Sequence, residues 1–285
     1  MGYVDDAFGL LKSNLEITPT EASLASTRHH RIRDHIEKEW TLDRTFLTGS
    51  YDRHTKTKKL KDVDIFAVID PDGPQGDLAD GTGTAAVTAL KKVLESGWDD
   101  VQADDYVVTI YYAGEDVASY EVAPVFSRAE GGFLMPNGST WMATDPNIHA
   151  ELVTAKNKDC AEKFVPFVKM VKGINREAGD PLSPSFLIEV MALELVDTPF
   201  TRYQDEIRWF LASAIDQITD DWPDPAGLGP AVNSQMTMAE RHTLAEVMRG
   251  WLKTCETAIL QEQAGKEKAA VETWRTLFGN RMPRP

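Results

Sequence analysis

Asp62 and Asp64 stand at the head of the apolar run DVDIFAVID, and a Gly49-Ser50 pair precedes them with eleven residues between. Side chains alternate across a strand, so both carboxylates point to one face about 7 Å apart along the backbone, near enough to share a cation. Two acids on one face are costly without metal. The pattern suits a pair of Mg²⁺ ions, or Mn²⁺ in their place, about 3.5 to 4 Å apart, which activate an attacking hydroxyl and neutralise the departing phosphates. A Gly-Ser turn supplies backbone N–H groups and one hydroxyl, a nest for β and γ phosphates. Turn and acids together describe nucleotidyl transfer, with nucleoside triphosphates as substrates.

A third carboxylate is needed on the acceptor side, from a neighbouring strand. SYEVAPVF offers Glu121 between apolar residues. A charge inside such a run needs a reason, because an unpaired buried carboxylate is expensive. The alternative is an outward-facing Glu on a half-exposed strand, with Asp105 and Asp116 as substitutes for the third ligand.

The elements that must position these groups can be read in order. Thr-Pro-Thr-Glu opens a capped helix over 18–40 with Pro19 in its first turn. TFLTGSYD is a short strand breaking at Gly49-Ser50, a Lys-rich connector follows, and DVDIFAVID is a second strand ending at Pro71. Residues 71–84 read as loop, TAAVTALKKVLES as a helix over one sheet face, and DYVVTIYY with VASYEVAPVF as a hairpin of the same sheet. After about residue 145 strand signals stop, and helical patterns cover 146–177, 184–197, 202–219, 237–261 and 264–278. The expected architecture is α+β, with domains 1–145, a mixed-sheet lobe with an N-terminal helix, and 146–285, a helical lobe closing a cleft.

In the helical half, Phe164, Phe167, Val168, Val171 and Ile174 recur at helical spacing and leave Lys169, Lys172 and Arg176 on another face. In so acidic a chain that face can line a triphosphate pocket. Ser183 before Pro184 reads as an N-cap, which places Ser185 at a helix amino terminus where a γ phosphate is favoured. Phe186 either stacks on a donor base or belongs to the core.

Composition narrows the partners. Thirty Lys and Arg against 45 Asp and Glu give −15 on 285 residues, which disfavours broad nucleic-acid binding. Two cysteines, Cys160 and Cys255, make neither a disulfide framework nor a cysteine-rich zinc module. No apolar stretch approaches the roughly 20 residues that cross a bilayer, and MGYVDDAFGLL has acids where a secretory signal needs basic residues. A cytoplasmic protein without membrane contact is expected. The six histidines show no zinc spacing, and the Gly-x-Ser-x-Gly, Walker and Gly-x-Gly-x-x-Gly motifs are missing from the sequence.

The chain resembles the nucleotidyltransferase superfamily, and within it the bacterial cGAS/DncV-like enzymes (CD-NTases) that make cyclic oligonucleotide messengers. The resemblance rests on Thr48-Gly49-Ser50-Tyr51 with Arg53 and Thr55, Asp62-Val63-Asp64-Ile65-Phe66, Glu121 to Phe126, Thr144-Asp145-Pro146 with His149, Pro166 to Lys172, and Ser183 to Glu189. It implies a polymerase beta-like fold and synthesis of a cyclic di- or trinucleotide from nucleoside triphosphates with release of pyrophosphate. Asp62, Asp64 and Glu121 would hold the metals. Gly49, Ser50, Lys172 and Ser185 would hold phosphates, with Lys169 the alternative lysine. Much of the family has Asp where Glu121 stands. The resemblance further implies anti-phage signalling through an effector that senses the product, and leaves room for an accessory regulator. The zinc-containing DNA-sensing insertion of the animal enzyme is missing, which implies no double-stranded DNA activator. The other reading of the same fold is linear transfer to an RNA end, a protein or a small molecule, or an inactive nucleotide-binding relative.

Overall fold

The computed structural model describes residues 2–114, 117–196 and 199–285. The chain folds as two compact units, one of residues 17–150 with 226–229, the other of residues 1–16, 151–225 and 230–285.

The first unit is a mixed sheet with helices. Helix α2 (Pro19–Ile36) starts where the sequence places it: Thr18 accepts from the Glu21 N–H at 3.1 Å, Glu21 returns to the Thr18 N–H at 2.7 Å, and Pro19 fills the first turn. The other Glu21 oxygen accepts from the Leu60 N–H at 2.9 Å, tying the connector before the acid-bearing strand to this helix. Strands β1 (Leu42–Thr48), β2 (Asp62–Ile69), β3 (Val101–Ala103), β4 (Val108–Tyr111) and β5 (Ser119–Ser127) lie in the order β1-β2-β5-β4-β3. The β2–β5 pair is parallel, and β1–β2, β4–β5 and β3–β4 are antiparallel. β4 and β5 form the expected hairpin. Strands β6 (Phe133–Asn137) and β7 (Thr140–Thr144) extend from β5 and were not anticipated.

Parity along the central strands sorts their side chains. Val63, Ile65, Ala67 and Ile69 of β2 and Tyr120, Val122 and Phe126 of β5 join Ile32 and Ile36 of α2 and Leu90 and Leu94 of α4 (Gly83–Glu95) in one core. The opposite face carries Phe66, Val68, Ala123, Val125 and Phe133, with Asp62, Asp64 and Glu121 continuing the same parity toward the strand starts. Pro124 is tolerated in a central strand because it falls between the residues that pair β4 (119–122) and those that pair β6 (126–127).

The second unit is helical: α1 (Tyr3–Leu15), most of α5 (Pro146–Asp159), α6 (Phe164–Glu177), α7 (Phe186–Leu195), α8 (Tyr203–Gln217), α9 (Met238–Gln263) and α10 (Glu267–Phe278). Its membership differs from a single cut at residue 145. Val4, Ala7, Phe8, Leu11 and Leu15 make a stripe along α1 that is buried in the helical core, where Phe8 meets Trp274 edge-on at 5.1 Å. The helix expected over 146–177 is two helices. Ala161 and Glu162 take positive φ between them, and the Asn157 side chain accepts from the Val165 N–H at 2.9 Å as α6 begins. Among the described residues no helix is long and apolar enough to cross a membrane.

Candidate active site

β1 ends at Thr48, whose register partner on β2 is Asp64, so the turn that follows is laid beside that carboxylate. The turn is the short helix α3 (Gly49–Asp52), and its first residue has φ +63°. A Cβ at Gly49 would lie 1.9 Å from Asp64 Oδ2 and 2.5 Å from its Cγ. Glycine is therefore required twice, for the left-handed backbone and for the approach of Asp64. The chain then folds back: the Ser50 carbonyl accepts from the N–H groups of Thr55 at 3.0 Å and Lys56 at 3.1 Å.

Parallel pairing of β2 with β5 makes Asp64 and Glu121 register neighbours. Ligand oxygens of Asp62, Asp64 and Glu121 lie within 4.8 Å of one another. Three carboxylates, all hard oxygen donors and with no sulfur or imidazole in the group, fit Mg²⁺ or Mn²⁺. Of the substitutes, Asp105 lies exposed in the loop before β4 and outside this group, and Asp116 lies outside the described residues.

The electrostatics follow from crowding. Burial and then the charges of Asp64 and Asp62 push Glu121 up to about 7, against a smaller downward pull from Lys56. Lys56 is the residue that sequence reasoning missed. Its ammonium lies 2.8 Å from Asp62 Oδ2 and 3.8 Å from Asp64 Oδ2, and its side chain is 10% exposed. Burial works to lower its pKa, but the charges of Asp64 and Asp62 outweigh burial and raise it. In sequence it is one of four lysines over 56–61, and nothing in that run distinguishes it from Lys58, Lys59 or Lys61, which stand exposed.

Gly49, Ser50, Asp62, Asp64 and Glu121 thus meet in the sheet unit, while Lys169, Lys172, Ser185 and Phe186 belong to the helical unit. There the expected basic face of α6 is corrected. Lys169 and Lys172 are 5% and 8% exposed, because α6 is covered on nearly every side. Each ammonium has its own carboxylate: Lys169 meets Glu16 at 2.5 Å, and Lys172 meets Glu189, itself fully buried, at 2.6 Å. Ser183 is not the cap of the next helix. α7 starts at Phe186, so Ser185 occupies the cap position, exposed and without a side-chain cap bond. Phe186 is half-buried against the helical core. Asp145 accepts from the Asn147 N–H at 3.0 Å at the start of α5, and His149 is buried.

A carboxylate trio on one face of a mixed sheet, beside a glycine turn, is an arrangement that suits nucleotidyl transfer. Comparison with known proteins agrees. Residues 1–157 match the model of the Second Messenger Oligonucleotide or Dinucleotide Synthetase domain, and the chain belongs to that family, the bacterial cGAS/DncV-like nucleotidyltransferases. A cyclic AMP-AMP-AMP synthase of Acinetobacter sp. (strain ATCC 27244 / 9458) is 28% identical over 301 residues, covering 96% of this chain and 84% of that one. Among solved structures, the CD-NTase CdnG of Bradyrhizobium diazoefficiens in complex with GTP superposes with a TM-score of 0.77 at 17% identity, covering 99% of this chain and 96% of that one. CdnC of E. coli MS115-1, solved with HORMA-deltaN, gives 0.74 at 16% identity over 98% of both chains. At these identities the superpositions establish the nucleotidyltransferase fold.

Proposed function

We propose that this protein joins nucleoside triphosphates into a cyclic di- or trinucleotide with release of pyrophosphate. The observation that carries the reading is the convergence of Asp62, Asp64 and Glu121 beside Gly49 in a chain of this family. Asp62, Asp64 and Glu121 would hold two Mg²⁺ ions, or Mn²⁺. When bound, these ions supply charge neutralisation for the phosphates and acidify the attacking hydroxyl.

The remaining work falls to the protein. A ribose hydroxyl of the acceptor attacks the donor's α phosphorus, a new P–O bond forms, and the bond to the leaving pyrophosphate breaks. Glu121, or Asp64 beside it, would stand nearest the attacking hydroxyl and take up its proton. The Gly49-Ser50 turn holds phosphate oxygens. In the helical unit, Lys172, or Lys169 in its place, would reach a phosphate only by leaving its carboxylate, Glu189 or Glu16, with Ser185 as a further phosphate contact and Phe186 as a base contact. For a dinucleotide the second attack, by the free hydroxyl of the linear product on its own α phosphorus, closes the ring; for a trinucleotide the second attack adds the third nucleotide and a third closes the ring, each attack releasing one pyrophosphate.

The Acinetobacter relative, and another from E. coli (strain MS 115-1), are named cyclic AMP-AMP-AMP synthases. That makes ATP the first donor to assay and a ring of three adenylates the first product to seek. The HORMA complex of the E. coli neighbour supports a protein regulator. We place the enzyme in the cytoplasm, in anti-phage signalling through an effector that senses the product, with no double-stranded DNA activator. Purified protein incubated with labelled ATP, GTP, CTP and UTP is expected to yield phosphatase-resistant products. Phosphatase-sensitive products would move the reading to linear transfer, and no product across metals and pH values would refute it.

A further inference from the structure

Three carboxylates within 4.8 Å of one another repel strongly in a half-buried pocket. Here they do not stand alone, because the connector turns one lysine into their midst. Thr55 and Thr57 on either side of Lys56 are buried, at 0% and 8% exposure, and the Lys56 N–H is fixed to the Ser50 carbonyl at 3.1 Å. The side chain between them reaches Asp62 Oδ2 at 2.8 Å and comes within 3.8 Å of Asp64 Oδ2. An ammonium at 2.8 Å takes up an oxygen lone pair that a divalent ion, binding at about 2.0 to 2.1 Å, would also require. It also places a positive charge against two of the three acids.

Building on the proposed metal role of the acids, we propose that Lys56 is a resident counter-ion: it holds the carboxylates together in the metal-free protein and competes with the divalent ion for Asp62. A divalent ion loading at Asp62 Oδ2 therefore meets the ammonium's positive charge and competes with it for that oxygen. Two consequences follow with opposite signs. Removing the Lys56 charge weakens the metal-free protein, because the carboxylates lose this ion pair. The same change strengthens metal binding, because the competitor and its positive charge are gone. A lysine that only supported the fold would give the first effect without the second.

The test uses the whole protein without nucleotide, with Mn²⁺ as the probe. Thermal midpoints are measured in EDTA, and Mn²⁺ affinity by calorimetry and by the electron paramagnetic resonance signal of the free ion. Lys56→Met is expected to lower the midpoint in EDTA and to bind Mn²⁺ at least about tenfold more tightly than wild type, while Lys56→Arg stays near wild type in both. Unchanged or weaker Mn²⁺ binding by Lys56→Met overturns the proposal, as does an unchanged midpoint in EDTA. If Lys56→Met folds only when Mn²⁺ is present, that is the expected result at its limit. If it folds under neither condition, Lys56→Gln is read in the same two assays with the same criteria. Wild type and variant that both fail to bind Mn²⁺ overturn the metal reading, and this proposal with it. A wild type that binds, with Lys56→Met no tighter, overturns this proposal alone.

Discussion

Gly49→Ala removes no carboxylate and yet should lower activity by about 10²-fold. The added methyl is directed at Asp64, with Cβ 1.9 Å from Oδ2 and 2.5 Å from Cγ. Real Cβ atoms do not come closer than 3.0 Å to such neighbours, so the turn or the Asp64 carboxylate must shift by at least about 1 Å. A misplacement of that size in a reacting constellation costs on the order of 10²-fold in rate. The backbone adds its own penalty, since a φ of +63° in an L-residue costs about 1 to 2 kcal/mol. For a compact unit of this size such a loss lowers the thermal midpoint by several degrees. The assay is initial-rate synthesis from labelled ATP and Mg²⁺, alongside circular dichroism and a thermal melt. A folded Gly49→Ala protein with more than about a tenth of wild-type turnover would refute the steric reasoning.

Three further outcomes are expected. Glu121→Gln keeps the shape and removes the charge, so ATP and Mg²⁺ should bind through Asp62, Asp64 and the Gly-Ser turn while bond formation stops; normal binding together with wild-type synthesis would remove Glu121 from the site. In EDTA, Glu121 keeps its proton in the folded protein up to about pH 7, whereas the unfolded chain releases it near 4.5. The folded state then holds more protons between those values, so this group's stabilisation is complete below 4.5 and is lost as pH rises to about 7. Thermal midpoints of wild type should accordingly fall more steeply than those of Glu121→Gln across that window, and parallel profiles would contradict the assignment. Glu189→Ala, which strips the buried partner from Lys172, should destabilise the protein by about 3 to 5 kcal/mol in urea unfolding, and a loss below about 1 kcal/mol would show that the pair contributes little.

What the residues disclosed by themselves was local in origin. Two-residue alternation puts Asp62 and Asp64 on one face whatever the strand pairs with, and Gly49-Ser50 breaks a strand wherever it occurs. The Thr18 to Glu21 cap is written in four consecutive residues, and in the structure it closes as a reciprocal pair of bonds. Glu121 was visible as a charge inside an apolar run, a conflict between burial and ionisation that has to be relieved by something. What depends on tertiary contacts was not visible. The stripe of α1 does recur at helical spacing in the sequence, and only its burial against Trp274 and the rest of the helical core needed the structure. The break at Ala161 and Glu162 has its one local signal in Pro166, in the first turn of α6.

The sequence alone determined which groups could do the chemistry, because residue type and period-two spacing are properties of the chain itself. Their arrangement was decided by the tertiary structure. Asp64 and Glu121 are 57 positions apart and become neighbours only through the parallel pairing of β2 with β5. The Lys169 and Lys172 ammonium groups, which periodicity places on a solvated face, are buried against Glu16 and Glu189 because other helices cover α6 on that side too. Lys56 is the sharpest case. Among four lysines in six residues its role is set by a backbone that folds onto the Ser50 carbonyl and by buried threonines on either side, since a charge is drawn into a pocket only once the chain has brought the opposite charges together there.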